Sequence, residues 1–356
     1  MTTNINPIQT NGFELLEYTA PTMEGIENLK KLFTQLGFTE IAKHHSQAVW
    51  LFKQNDLHFL VNAENNMAVK HFAEVHGPSV YAMGWRVKNA QQALQYCLEN
   101  GAKETENNTL SNSQKKPIPT IQGIGGSIIY LIEEYRDNTL YLNNFEFYAN
   151  YQEQLTQNNK GLLYLDHVTH NVHRGHMEPI AQFYENIANF KEIRYFDIEG
   201  KLTGLVSKAM TSPCGKIRIP INESSDDKSQ IEEFLKEYNG EGIQHIAMAT
   251  DDIYHTVEML KKQGVEFLFT PNTYYEKVNQ RVPGHHEDLE RMKALKILID
   301  GMPSKEGILL QIFTQTVIGP VFFEIIQRKG NEGFGEGNFK ALFESIEEDQ
   351  IKRGVL

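Results

Sequence analysis

Three ionisable side chains stand where apolar strands should run. The segment "GPVFFEIIQRKG", residues 319 to 330, carries Glu324 amid Val321, Phe322, Phe323, Ile325 and Ile326. Its Gly-Pro and Lys-Gly borders mark it as a buried or half-buried strand. A lone ionised carboxylate is costly there, so Glu324 must be neutral, paired with a cation or bound to a metal. His167 in "GLLYLDHVTHNV" and His245 in "GIQHIAMAT" occupy similar segments, almost evenly spaced along the chain, so each of the three comes from a different β-element. Two imidazoles and one carboxylate form the donor set that holds iron(II) on one face and leaves about three positions free for substrate and dioxygen. Single histidines in strands also occur as hydrogen-bonded core residues, and spacing alone leaves both readings open.

Other histidines lie close by. Side chains alternate along a strand, so His170 points away from the face that His167 shares with Leu165 and Thr169, and a structural hydrogen bond is expected of it. His173 and His176 read as solvated turn residues, and His285 and His286 in "VPGHHED" as exposed loop residues. The two cysteines, Cys97 on a helical apolar stripe and Cys214 in the turn "SPCG", are too isolated for a disulfide framework or a thiolate metal site.

The elements that carry these residues repeat. "AMGWRVKNAQQALQYCLENGAKE" from Ala82 lies without a gap on "HIAMATDDIYHTVEMLKKQGVEF" from His245, an offset of 163. In both, a strand runs through a polar turn into an amphipathic helix; Ala90, Leu94 and Cys97 fall on Ile253, Val257 and Leu260, and the stop Gly101 on Gly264. Two weaker correspondences set Glu17 near His167 and Tyr130 opposite Glu324. The polar stretch 136–161 reads as a connection between two similar α+β halves, 12–140 and 160–356. The first half holds Glu17, Ala82 and Tyr130 where the second holds His167, His245 and Glu324, so one half is expected to be active and the other structural.

Bulk composition sets limits. At 356 residues, 40% hydrophobic and 22% charged, the chain suits a globular protein with a full core. A net charge of -12 with no basic stripe opposes nucleic-acid or anionic-membrane binding. The opening residues lack a signal-peptide pattern and no stretch is long enough to span a bilayer, so a cytoplasmic enzyme is the expectation.

Taken together, "LDHVTHNV", "GIQHIAMAT", "LLQIF", "FFEIIQRKG" and "GFGEGNFKALFESIEEDQ" resemble the 4-hydroxyphenylpyruvate dioxygenase family, with "HGPSV" and "IGGSIIYLIEEY" extending the likeness to the first half. The resemblance implies the vicinal-oxygen-chelate fold: βαβββ modules paired into two open barrels, with Fe2+ held by His167, His245 and Glu324 in the second. It implies that 4-hydroxyphenylpyruvate, itself a 2-oxo acid, reacts with O2 to give homogentisate and carbon dioxide in tyrosine and phenylalanine catabolism. It also implies a homo-oligomer, a dimer or tetramer. Carried over residue by residue, Ser207, Asn222, Gln230, Gln244 and Gln311 are polar pocket residues, able to donate or accept without a fixed charge. Strand parity sets Gln244 opposite His245, so local twist must bring it to the site. Phe313, Phe322, Phe334, Phe339 and Phe343 become the aromatic lining. The stripe Phe339, Leu342, Phe343 and Ile346, preceded by Gly330, Gly333, Gly335 and Gly337, is expected to form a C-terminal gating helix.

Two rivals share the pattern. 4-Hydroxymandelate synthase resembles this family in fold, iron ligands and substrate but hydroxylates the benzylic carbon. A non-catalytic small-ligand-binding protein of the same fold is the other.

Overall fold

The computed structural model describes residues 5–106, 110, 117–199, 204–227 and 229–341. Its frame is two eight-stranded sheets, each curled into a half-barrel. The first contains β1 (Phe13–Thr19), β2 (Thr39–His44), β3 (Val49–Gln54), β4 (Leu57–Asn62), β5 (Ser79–Arg86), β6 (Thr120–Gln122), β7 (Ile128–Ile132) and β8 (Phe145–Phe147), in the order β6-β7-β5-β1-β4-β3-β2-β8. The second contains β9 (Leu165–Val172), β10 (Lys191–Glu199), β11 (Gly204–Thr211), β12 (Arg218–Ser224), β13 (Gly242–Ala249), β14 (Leu298–Met302), β15 (Gly307–Phe313) and β16 (Phe322–Lys329), in the order β10-β11-β12-β9-β13-β16-β15-β14. In the second sheet two strand-helix-strand-strand-strand modules meet at the antiparallel pair β9–β13, and each closes by a parallel pairing, β9 with β12 and β13 with β16. This is the α+β vicinal-oxygen-chelate architecture.

The repeat is visible in the elements themselves. The helices Ala90–Glu99 and Ile253–Lys262 have equal length. Each is capped by a side-chain oxygen at the same offset: Asn89 accepts from the Gln92 amide and Asp252 from the His255 amide. Such caps satisfy amides that the first turn leaves free. The sheet register pairs Gly84 with Tyr130 as it pairs Ala247 with Glu324, so Tyr130 does stand in Glu324's place. The Glu17 assignment needs a correction of two residues. Leu15 pairs with Gly84 as His167 pairs with Ala247, and Glu17 pairs with Ala82 as Thr169 pairs with His245. Sequence similarity in this strand keeps the face but not the register, because the turns after it differ in length.

Sidedness explains why β16 looks apolar throughout. Its outward residues Phe323 and Ile325 join Val168, Ile246 and Met248 in a core that continues into the first half through Phe59, Trp85 and their neighbours, with Phe59 and Phe323 stacked at 6.2 Å. Inward residues of the second sheet face a cavity. The first half's interior is instead filled by Leu15, Leu51, Leu60, Ala82, Tyr130 and Tyr141. There Glu17 accepts hydrogen bonds from Tyr130 and from Asn62, at 2.8 and 2.6 Å. The stretch 136–161 is more than a connection: it forms the helices Thr139–Asn144 and Tyr151–Asn158, and between them β8 pairs with β2 through Phe145 and Phe147.

The two halves also meet in a close backbone approach around His76 and Gly125. His76 sits with its ring nitrogens 2.9 and 3.0 Å from the carbonyls of Tyr238 and Gly125. Gly125 has φ +58°, and a Cβ there would lie 1.9 Å from the Glu241 carbonyl oxygen. Replacement by alanine adds that overlap to a left-handed strain of about 1–2 kcal/mol. Gly125→Ala should therefore lower the denaturant midpoint clearly more than Gly126→Ala, whose φ is also positive but whose nearest contact is an ordinary 3.8 Å. Equal effects would show that the halves do not depend on this approach.

Candidate metal centre

β9, β13 and β16 are adjacent, and their inward faces bring His167, His245 and Glu324 together. One donor atom from each lies within 4.8 Å of the others. The Glu324 Oε2 atom is 3.2 Å from His167 Nε2 and 3.5 Å from His245 Nε2. All three residues are buried.

Two irregularities in a single ladder orient the rings. Between β9 and β13 the register runs through His167, Val168 and Thr169 against Ala247, Ile246 and His245, and it slips at each end of that run. The extra residues are Asp166 on β9 and Gln244 on β13, each directly before a histidine. A β-bulge turns its extra residue out of strict alternation. Asp166 Oδ1 thus accepts from His167 Nδ1 at 2.8 Å, and Gln244 Oε1 from His245 Nδ1 at 2.7 Å. Simple strand parity set Gln244 on the far face; the bulge, rather than twist alone, brings it round. Both rings are then held in the tautomer that presents a bare Nε2 to the cavity.

Glu324 is held as firmly. Its Oε1 accepts from Gln311 Nε2 at 3.0 Å, Gln311 Oε1 accepts from Asn338 Nδ2 at 2.7 Å, and Asn338 Oδ1 accepts from Tyr274 at 2.6 Å. The chain passes over Gln311 at Gly335, φ +80°, where a Cβ would lie 1.6 Å from the Gln311 Oε1 atom. Thr169, on His167's face of β9, donates to His245 Nε2 at 2.9 Å.

The electrostatics follow from crowding without water. Burial raises the Glu324 carboxyl, but the two imidazoles more than offset it and hold it down to about 2. Burial disfavours charge on His167, yet Glu324 and Asp166 raise it; His245, with less compensation, is lowered by burial. With both Nδ1–H groups committed, two Nε2 atoms and a carboxylate oxygen face one another, and without a metal only a proton on an imidazole can offset the carboxylate's charge. Such a group requires a positive charge among them, and the donor set suits a divalent transition ion.

The cavity around this point measures about 210 Å³. Ser207 and Asn222, paired across β11 and β12, together with Gln230 at the start of the helix Gln230–Tyr238, Gln244 and Gln311, supply its polar lining. Phe313, Phe322 and Phe334 wall it beside the histidines: Phe322 stacks on His245 at 4.9 Å and Phe334 meets His167 edge-on at 5.2 Å. Phe339 also lines the cavity, on the helical residues 336–341, and is 37% exposed. Phe343 and the rest of the expected gating stripe lie outside the described residues. His170 bonds the Tyr184 hydroxyl at 2.7 Å, and burial pushes it down to about 3. His173 and His176 are exposed, as their turn predicts. His285 is not: it is buried, close to Asn279 Oδ1 at 2.9 Å and accepting from the Glu287 amide. Sequence reasoning missed Asp166, Thr169, Asn338 and Arg328. Thr169 and Arg328 share strand parity with His167 and Glu324, which was a usable signal; the bulge that recruits Asp166 left none.

Residues 4–147 match the family described as hydroxyphenylpyruvate dioxygenase, N-terminal, and residues 164–282 the glyoxalase/bleomycin resistance protein/dioxygenase superfamily. A 4-hydroxyphenylpyruvate dioxygenase of Pseudomonas aeruginosa is 61% identical over 99% of this chain and 97% of that protein. A Vibrio vulnificus protein named hemolysin VllY is 62% identical over 99% of this chain and 98% of its own length. Among solved structures, a mutant of 4-hydroxymandelate synthase from Streptomyces coelicolor superimposes with a TM-score of 0.78 over 96% of this chain and 99% of that one, at 24% identity, a likeness of fold.

Because the histidines can release a proton, removing the carboxylate strands no charge, and an ionic cluster of this kind adds little to stability. Glu324→Met, which removes a buried charge but leaves the Gln311 amide without its acceptor, should change the stability of the metal-free chain by no more than about 3 kcal/mol in either direction. A loss of several kcal/mol in urea unfolding would instead make Glu324 a structural tie.

Proposed function

The chain belongs to the 4-hydroxyphenylpyruvate dioxygenase family, and on that footing we propose that it converts 4-hydroxyphenylpyruvate and O2 into homogentisate and carbon dioxide, a step of tyrosine and phenylalanine catabolism. The observation that carries this reading is the convergence of three buried donor atoms, two imidazole Nε2 and one carboxylate oxygen, while both Nδ1 atoms and the other Glu324 oxygen are already committed to hydrogen bonds. His167, His245 and Glu324 would hold Fe2+. Bound there, the ion would supply the electrons and open positions that let a 2-oxo acid and dioxygen react.

The chain's own residues do the rest. Gln311 fixes the carboxylate of Glu324 so that its other oxygen stays turned to the ion. Ser207 lies two strands beyond β9, roughly 10 Å along the sheet. With Asn222 and Gln230, which also line the cavity, it offers a phenol hydroxyl uncharged donors and acceptors. Phe313, Phe322 and Phe334 grip the ring between and exclude water from the reacting end. Residues from 334 onward act as the gate. We place the structural domain over 12–140, to which β8 adds its strand, and the catalytic domain over 160–356. A cytoplasmic location and a homo-oligomer complete the reading; no helix among the described residues is long and apolar enough to cross a membrane.

Oxygen uptake with product identification tests it. The iron-loaded chain should consume O2 on addition of 4-hydroxyphenylpyruvate and form homogentisate; 4-hydroxymandelate as product, or no uptake, would overturn the assignment. Glu324→Ala should lose iron and turnover together. Deleting residues 334–356 should cut turnover sharply while the first half stays folded, and unchanged kinetics would remove the gate.

A further inference from the structure

Asp166 does more than steady one ring. Its side chain is fully buried, and both oxygens are saturated. Oδ1 accepts from His167 Nδ1 and Arg328 Nη2, each at 2.8 Å; Oδ2 accepts from Arg328 Nε at 2.8 Å and Arg218 Nη1 at 3.2 Å. The far ends of both arginines reach one short segment, the turn that leads into residues 336–341. Arg328 Nη1 donates to the carbonyls of Asn331 at 3.0 Å and Gly333 at 2.6 Å, and Arg218 Nη2 donates to Glu332 at 2.6 Å. Arg328 also lies over the Phe334 ring, whose edge meets His167.

Accordingly, we propose that Asp166, Arg328 and Arg218 form a positioning relay that couples the seating of His167 to the conformation of residues 331–341, so that capture of the metal and closure of the C-terminal segment are one linked event. The inference rests on the metal reading above. The physical reason is the shared carboxylate. A metal on His167 Nε2 polarises the ring and strengthens the Nδ1–H bond to Asp166, which fixes the carboxylate plane. Arg328 binds that plane through two parallel N–H bonds, so its remaining nitrogen is aimed only when the plane is fixed. Two backbone carbonyls of the turn then have an ordered donor. Coupling of this kind is reciprocal: whatever the closed turn gives to metal affinity, the metal gives back to closure.

The test uses the full chain and Co2+ as probe, with affinity from calorimetry and order from amide hydrogen exchange. In the native chain Co2+ should slow exchange within 331–341 as well as within β9, β13 and β16. Arg328→Gln should bind Co2+ ~10–100-fold more weakly. At saturating Co2+ its three strands should still slow, whereas 331–341 should not; a merely structural role would move both or neither. Native affinity in this variant, or slowing of 331–341 as in the native chain, overturns the relay. If the native chain binds no Co2+, the metal centre falls and the relay with it. Should Arg328→Gln fail to fold by circular dichroism, the isosteric Asp166→Asn is read against the same outcomes.

Discussion

Two imidazole lone pairs and a carboxylate oxygen, packed within 4.8 Å in a buried pocket, are the constraint around which the second half is arranged. Acceptors so placed repel unless a cation joins them. The strands could avoid the conflict by turning one ring round, but Asp166 and Gln244 already hold each Nδ1. Gln311 likewise commits one oxygen of Glu324, and Asn338 and Tyr274 stand behind Gln311. The site is thus expensive by design of its surroundings, and its preorganisation is what makes it a good receptor for a divalent ion.

The first half shows the same frame with the conflict removed. Its ladder puts Leu15 at His167's position, Ala82 at His245's and Tyr130 at Glu324's, so the interior closes with hydrocarbon and with Glu17, whose carboxylate is hydrogen-bonded by Tyr130 and Asn62. The bulge survives. Glu14 is the extra residue between Phe13 and Leu15, as Asp166 is between Leu165 and His167, and it too pairs with an arginine, Arg86, at 2.5 Å. The backbone irregularity therefore belongs to the fold, and the chemistry depends on which side chains stand beside it.

Much of this was legible in the sequence. The offset of 163 marked the strand, polar turn, helix and glycine stop of both halves because local pattern and length agree there. Glu324 drew attention because a charge inside an apolar strand is costly, and that cost is independent of the fold. The remainder depended on register. Glu17 was misplaced by two residues because the turns after the two strands differ in length, and Gln244 was assigned to the far face because bulges leave no compositional trace. His285 read as exposed since its neighbours are polar, whereas its burial comes from the loop folding back on Asn279 and Glu287. The partners of Asp166 come from strands far along the chain, Arg218 and Arg328, which no local window connects.

Anomalous diffraction at the iron edge from crystals of the iron(II)-loaded chain bears most directly on the central claim. A single strong peak should lie between His167 Nε2, His245 Nε2 and Glu324 Oε2, with His167 still donating to Asp166 and His245 to Gln244. A peak elsewhere, or rings turned to offer Nδ1, would contradict it.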